Sequence, residues 1–282
     1  MNPYRDVLVP SNEPLDVALP RTTHMGIGAH QDDLEIMALH GILNCYQQTD
    51  THFGGITCTD GAGCSRAGLY ADYSDDEMAR VRMCEQRKAA VMGDYSAMFQ
   101  LGYSSGAIKQ AEGSAALREE ITEILLKARP DVVYAHNPAD KHSTHIAVLS
   151  ASIAALRALP EDARPSKVYG CEVWRDLDWL ADDRKELLDV SGRDGLSNAL
   201  IGMFDSQVTG GKRYDLACAG RRRANATYLD SHRSDDTDAI WFAMDLTPLV
   251  LDPELDIITF TLEHIFNFAS DVRNTWRAQL GD

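Results

Sequence analysis

The chain has 282 residues, 44% of them hydrophobic and 25% charged, the balance of a folded, water-soluble protein with a sizeable core. Its 43 acidic residues against 27 basic ones leave a formal net charge of −16, which argues against nucleic acid or an anionic membrane as a partner. No apolar stretch approaches the ~20 residues that cross a bilayer.

Pro3, Pro10, Pro14 and Pro20 make the first 23 residues an extended arm, without the basic start and apolar run of a signal peptide. His24 to Ala29 reads as a short strand, and Asp33 to about Gln47 as a helix with Ile36, Met37, His40, Ile42 and Leu43 on its inner face. Phe53 to Thr57 is a second strand emptying into a glycine-rich loop, Asp60 to Gly68. Ser74 and Glu77 form a capping box that opens a helix to about Met92. A third strand over Ala97 to Tyr103, a helix over Ser114 to Ala128 and a fourth strand over Asp131 to Ala135 follow. A helix starting at His142 or Ser143 runs to Leu159, rich in alanine and leucine.

Strands alternating with helices in this way predict a mainly parallel, doubly wound α/β sheet. Beyond Pro165 the regularity loosens. Strands are expected over Val168 to Trp174, Glu186 to Val190 and Ile240 to Asp245, with helices over Leu196 to Gln207 and Arg213 to Tyr228. Leu255 to Leu280 suits a long helix, although Ile257, Ile258, Thr259 and Thr261 weaken its first turns. The expectation is one domain: an arm (1–23), a metal-binding core (24–160) and a C-terminal α+β elaboration (161–282). The cysteines at 45, 58, 64, 84, 171 and 218 include no C-x-x-C pair and read as reduced thiols, so the expected compartment is the cytoplasm.

Chemistry concentrates at two places. His30, Asp32, Asp33 and Glu35 crowd the turn after the first core strand, where ligands of parallel α/β sheets bind. An imidazole and a carboxylate at this spacing can grip a divalent metal and leave the adjacent carboxylate free as a base. The same acids also suit a helix start, as caps and as partners of its dipole. A dinucleotide site is discounted, because Gly26-x-Gly28-x-x-Gln31 lacks the third glycine and sets two aspartates against a pyrophosphate. His142-x-x-His145 occupies the equivalent strand-to-helix position later in the chain. His136, Asn137 and Asp140 precede it as groups able to orient the imidazoles, and His136 competes with His145 as a ligand. Asp60, Gly61 and Arg66 of the glycine-rich loop, with Asn137, are candidate substrate contacts.

Ala29-His30-Gln31-Asp32-Asp33-Leu34-Glu35 resembles the Ala-His-Pro-Asp-Asp-Glu signature of the LmbE-like, or PIG-L, zinc-dependent N-deacetylases. The segment Val132 to Ala135, its polar loop and His142-x-x-His145 resemble the second motif of that family. Thr59-Asp60-Gly61, Arg82-x-x-Glu85 and Ser206-Gln207 add to the likeness, which is strongest over residues 24–160. The resemblance implies a Rossmann-like fold and removal of an acyl group from an N-acetylglucosamine-type sugar or conjugate. It further implies zinc on His30, Asp33 and His145, Asp32 as general base, His142 at the oxyanion or leaving amine, and Arg82 as a substrate contact.

Three positions depart from the family pattern. Gln31 replaces the usual proline, Leu34 separates Asp33 from Glu35, and Ser104-Ser105 stand where relatives often place a sugar-binding aspartate. Two other readings stand beside the sugar deacetylase: an amidase for a non-sugar or thiol-conjugate amide, and a non-catalytic sugar- or nucleotide-binding module. Iron, cobalt or manganese also suit a His₂Asp site. The proline-rich arm and the C-terminal helix are candidate contacts in a homo-oligomer.

Overall fold

A computed structural model describes residues 2–281. Its centre is an eight-stranded sheet in the order β1-β4-β3-β2-β5-β6-β8-β7. In chain order the elements begin with β1 (Asp6–Leu8), α1 (Leu15–Ala18), β2 (His24–Gly28), α2 (Asp33–Met37), α3 (Leu39–Cys45), β3 (Phe53–Thr59), α4 (Asp75–Met92), β4 (Ala97–Tyr103) and α5 (Ala111–Ala128). They continue through β5 (Val132–His136), α6 (Ser143–Arg157), β6 (Lys167–Cys171), β7 (Lys185–Asp189), α7 (Asp194–Gly202) and α8 (Asp205–Gln207). After α9 (Tyr214–Thr227) and β8 (Ile240–Asp245), α10 (Thr247–Leu251) and α11 (Ile257–Leu280) close the chain.

Strands β4, β3, β2, β5 and β6 run parallel. Their residues are almost all buried, as expected where helices cover both faces of a sheet. One face packs Met25, Ile27, Ile56 and Phe99 against Leu117, Ile121, Val148 and Leu149 of α5 and α6. The other packs Phe53, Met98, Tyr134 and Trp241 against Leu34, Met37, Ile42 and Leu200 of α2, α3 and α7. The chain winds outward from β2 through β3 to β4, then returns to lay β5 against the free side of β2. That reversal opens a crevice at the carboxyl ends of β2 and β5, where an open α/β sheet binds its ligand.

The structure refines several boundaries. The proline-rich arm contributes β1, antiparallel to β4, so part of it is an edge strand. The helix expected over Asp33 to Gln47 breaks at Ala38, whose φ is −104°. Beyond the break α3 lies so close to the sheet that a Cβ on Gly41 would press into the Tyr134 ring. Strand β6 ends at Cys171, releasing Val173 and Trp174 from the sheet. Helix α11 does begin at Ile257, because the Asp256 carboxylate caps the Thr259 N–H at 2.8 Å and offsets the β-branched first turn. The C-terminal elaboration carries the sheet onward, with β8 antiparallel to both β6 and β7. No helix is long and apolar enough to cross a membrane among the described residues.

Glu172 ties this extension together. Its buried carboxylate accepts the N–H groups of Phe242 and Leu177, each at 3.2 Å, and the Asn225 amide. Burial raises its pKa against the pull of Arg221. Glu172→Ala strands three donors and is expected to cost roughly 3–5 kcal/mol, while Glu172→Gln costs less. Urea unfolding of the two variants beside the parent chain measures this difference.

Candidate metal centre and its cavity

Strand β2 delivers His30 just beyond its carboxyl end, where Ala29 is fixed from both sides. Its carbonyl accepts Thr59 N–H and Oγ1 at 2.9 and 2.8 Å, and its N–H donates to His136 Nε2 at 2.9 Å. Asp32 then adopts a left-handed backbone, φ 85°, as the N-cap position of α2. A side chain rarely tolerates that region, and such conformations collect at functional sites. The kink turns the neighbouring aspartates apart. Asp33 points back to accept the His30 N–H at 2.7 Å, while Asp32 faces Arg82 at 2.9 Å.

His145, on the first turn of α6, comes across from β5. Its Nε2 lies 3.2 Å from His30 Nδ1 and 3.5 Å from Asp33 Oδ2, and His30 Nδ1 is 3.3 Å from the same oxygen. A zinc ion with bonds of about 2.0–2.1 Å requires tetrahedral ligand edges of about 3.3 Å. The three atoms therefore have the spacing of a tetrahedral face. Burial lowers the His30 pKa to about 4, so its ring is neutral and its lone pair available. Burial works to raise Asp33, but His145 and His136 hold it well below the usual carboxylate range. The Nδ1 of His145 is 3.3 Å from Asp140 Oδ2, the carboxylate–histidine pairing that fixes a ligand's tautomer.

His136 is also near, its Nε2 3.5 Å from Asp33 Oδ2. That nitrogen, however, accepts the Ala29 N–H, which occupies the lone pair a metal would need. Asp33, His136 and His145 could together hold a metal ion, as could His30, His142 and His145, but His136 would first have to give up this backbone hydrogen bond. His136 positions the β2 turn, and its buried Nδ1 has no partner.

The surroundings of Asp32 and Asp33 push their pKa values in opposite directions. Burial drives the Asp32 carboxyl well above its ordinary pKa, with Arg82 opposing. Gln86 accepts the Asp32 N–H at 3.3 Å and donates to Glu35 at 2.8 Å. Glu35 also accepts Tyr95 Oη at 2.7 Å, and burial raises its pKa to about 7. Glu35 is fully buried and outside the cavity, so its place is structural support for α2.

Above the ligand cluster lies a cavity of about 850 Å³. His30, Asp32, Asp33, Gly61, Arg82 and His142 line it, and His145 lies behind, wholly buried. Three expected substrate contacts do not reach it. Arg66 is consumed by the Ala62 and Tyr73 carbonyls and by Asp75, holding its own loop. Asp60 caps Ala62 N–H at 3.0 Å, and buried Asn137 bonds Cys171 O and Ala139 N–H at 3.1 and 3.0 Å. Arg82 reaches the cavity wall, with its guanidinium turned to Gln31 O and Asp32.

The opposite wall comes from the second half of the chain: Val173, Trp174, Tyr214 and Trp241 with Lys212 and Arg221. No motif marked these residues. Trp174 stacks on His142 with ring centroids 6.2 Å apart, and its N–H donates to Asp140 at 3.1 Å. Ser206 joins the halves, giving its N–H and Oγ to Glu85 at 2.7 and 2.6 Å. Ser105 lines the cavity where an aspartate was noted as missing.

Residues 25–156 match the family model described as PIG-L, GlcNAc-PI de-N-acetylase. Among solved structures, the N,N'-diacetylchitobiose deacetylase of Pyrococcus horikoshii is 17% identical with a TM-score of 0.61, over 83% of this chain and 88% of its own. The 4-carboxy-2-hydroxymuconate hydratase GalB of Pseudomonas putida is 16% identical with a TM-score of 0.62, over 80% and 96%. A conserved protein of Thermus thermophilus is 19% identical with a TM-score of 0.59, over 83% and 99%. At these identities the likeness establishes the Rossmann-like α/β fold. No curated protein sequence matches the chain.

Gly61 is the tightest point beside the site. Its φ is +69°, and a Cβ would collide with Gln31 Oε1 and crowd the Arg82 side chain. Gly61→Ala is expected to lose about 1–3 kcal/mol of stability, read as a lower Tm.

Proposed function

We propose that this chain, whose residues 25–156 match the PIG-L family model, is a metal-dependent hydrolase of that family that removes an N-acyl group from an amino sugar or its conjugate. The observation that carries the reading is the ligand spacing of His30, Asp33 and His145 at the floor of a cavity large enough for a sugar conjugate. A deacetylase among the structural neighbours, named for diacetylchitobiose, supports the substrate class.

His30, Asp33 and His145 are the residues that would hold the metal, and two imidazoles with one carboxylate favour zinc. Bound there, it would supply Lewis acidity to the amide carbonyl and lower the pKa of water toward ~7. Asp32 takes the proton from the attacking water. Its buried position makes it a stronger base than a solvated aspartate, and Arg82 keeps the carboxylate aimed. His142, whose ring centroid lies 4.9 Å from that of His30, steadies the oxyanion and hands a proton to the departing amine. Water adds to the carbonyl carbon, the C–N bond breaks, and a carboxylic acid and a free amine leave.

The fold also carries a hydratase, so metal content alone does not identify the reaction. Acetate release from a panel of N-acetyl amino sugars is the deciding measurement, and its absence across sugar and non-sugar amides overturns the reading. Asp32→Asn should retain the metal and lose roughly 10²–10⁴-fold in kcat. His145→Ala should lose the metal by elemental analysis, and Asp140→Ala should bind it about 10–100-fold more weakly.

A further inference from the structure

In a chain of net charge −16, the cavity collects cations. Among the residues lining it, the only carboxylates are Asp32, paired with Arg82, and Asp33, engaged at the ligand cluster. Lys141 and Lys212 line the exposed rim, and neither makes an ion pair among the described residues. Lys141 immediately precedes His142. Lys212 Nζ sits 5.0 Å from the Trp174 ring centroid, one aromatic layer away from His142. Arg221 lies behind them, donating to Val173 O, with Trp241 beneath its guanidinium at 5.7 Å. An ammonium over an aromatic face keeps its outer donors free for an anion.

We infer that the substrate carries an anionic substituent, carboxylate or phosphate, on the part of the molecule away from the acyl group, and that Lys141 and Lys212 bind it. This builds on the deacetylase reading and narrows its substrate class. An acidic surface repels anions at long range, so these two ammoniums provide the local attraction that selects the charged sugar over a neutral one.

Binding of the product amines tests this without turnover. Glucosamine, glucosamine 6-phosphate and muramic acid are titrated into the full-length protein, followed by quenching of tryptophan fluorescence. At least one anionic amine should bind about tenfold or more tighter than glucosamine, the size of one charge-assisted contact. The phosphate and carboxylate arms separate the two anions. In Lys141→Gln/Lys212→Gln that ratio should collapse toward one. Equal binding of neutral and anionic amines, or a preference that survives the double substitution, overturns the proposal. Failure of the deacetylase reading shows differently, as no acetate from any N-acetyl form while the anion preference persists.

A separate observation concerns α11. Only Thr261 of its residues is buried, while Phe266 and Trp276 are each 62% exposed. Ile258, Leu262, Ile265, Ala269, Val272 and Trp276 repeat at alternating steps of four and three, the seam of a coiled coil. Ile257 and Phe260, on another side, are the contacts to the body. The helix is about 36 Å long. Its amino end is approached by Asp252, Glu254 and Asp256, and its last two turns carry Arg273 and Arg277.

We also infer that α11 pairs antiparallel with α11 of a second copy. Antiparallel packing sets the acidic end of each helix against the basic end of the other, opposes their dipoles and satisfies two-fold symmetry. A register that seats Ala269 opposite Ile265 places Ile258 opposite Trp276. Sedimentation equilibrium should report a dimer that Leu262→Glu/Val272→Glu converts to monomer with unchanged helix content. Mixing Ile258→Cys with Trp276→Cys chains should give the mixed disulfide. A monomeric parent, a glutamate variant that stays assembled, or 258–258 cross-links overturns the pairing.

Discussion

A single carboxylate organises the crevice. Asp33 is buried at the point where the winding of the sheet reverses, and a bare charge there would cost several kcal/mol. Its Oδ2 draws in the His30 N–H, the His30 ring and two imidazoles, His136 from the end of β5 and His145 from the first turn of α6. The two crossovers, from β2 and from β5, are therefore locked by the same oxygen that would ligate a metal. His136 differs from His145 in that its Nε2 also accepts a backbone N–H, from Ala29.

Asp140 extends that organisation outward. One carboxylate receives the His142 N–H, faces the His145 ring and accepts the Trp174 N–H. Ligand orientation, the presentation of His142 and the position of the aromatic wall thus share one loop residue. Glu85 plays a parallel part on the other side, where a buried acid from α4 anchors Ser206 beside the cavity-lining Gln207. Tyr70 and Asp205 join at 2.6 Å, so the segment that follows the glycine-rich loop is tied to the start of α8.

What the sequence made legible was local. The histidines and aspartates at 30–33 and 142–145 sit within single turns, and the parallel core follows from the alternation of strands and helices. The Ser74–Glu77 capping box is present as expected because reciprocal caps depend on four residues alone. Less legible was whatever depends on distant partners. Arg66 looked free in the sequence, yet Ala62, Tyr73 and Asp75 absorb its donors once the loop folds back. Trp174 and Trp241 reach the cavity only because β8 returns antiparallel to β6, a pairing no short motif encodes. The close approach of Gly41 to the sheet likewise depends on the distant Tyr134 and Phe53 rings.

The strand β8 divides the cavity between two stretches of the chain. Residues that would carry out bond cleavage fall inside the segment 25–156, whereas most of the facing wall is supplied by residues 173–241. The two groups are encoded by separate stretches of chain and contribute to one sheet. A substitution in the later stretch would reshape what fits the cavity without touching the residues of the ligand cluster.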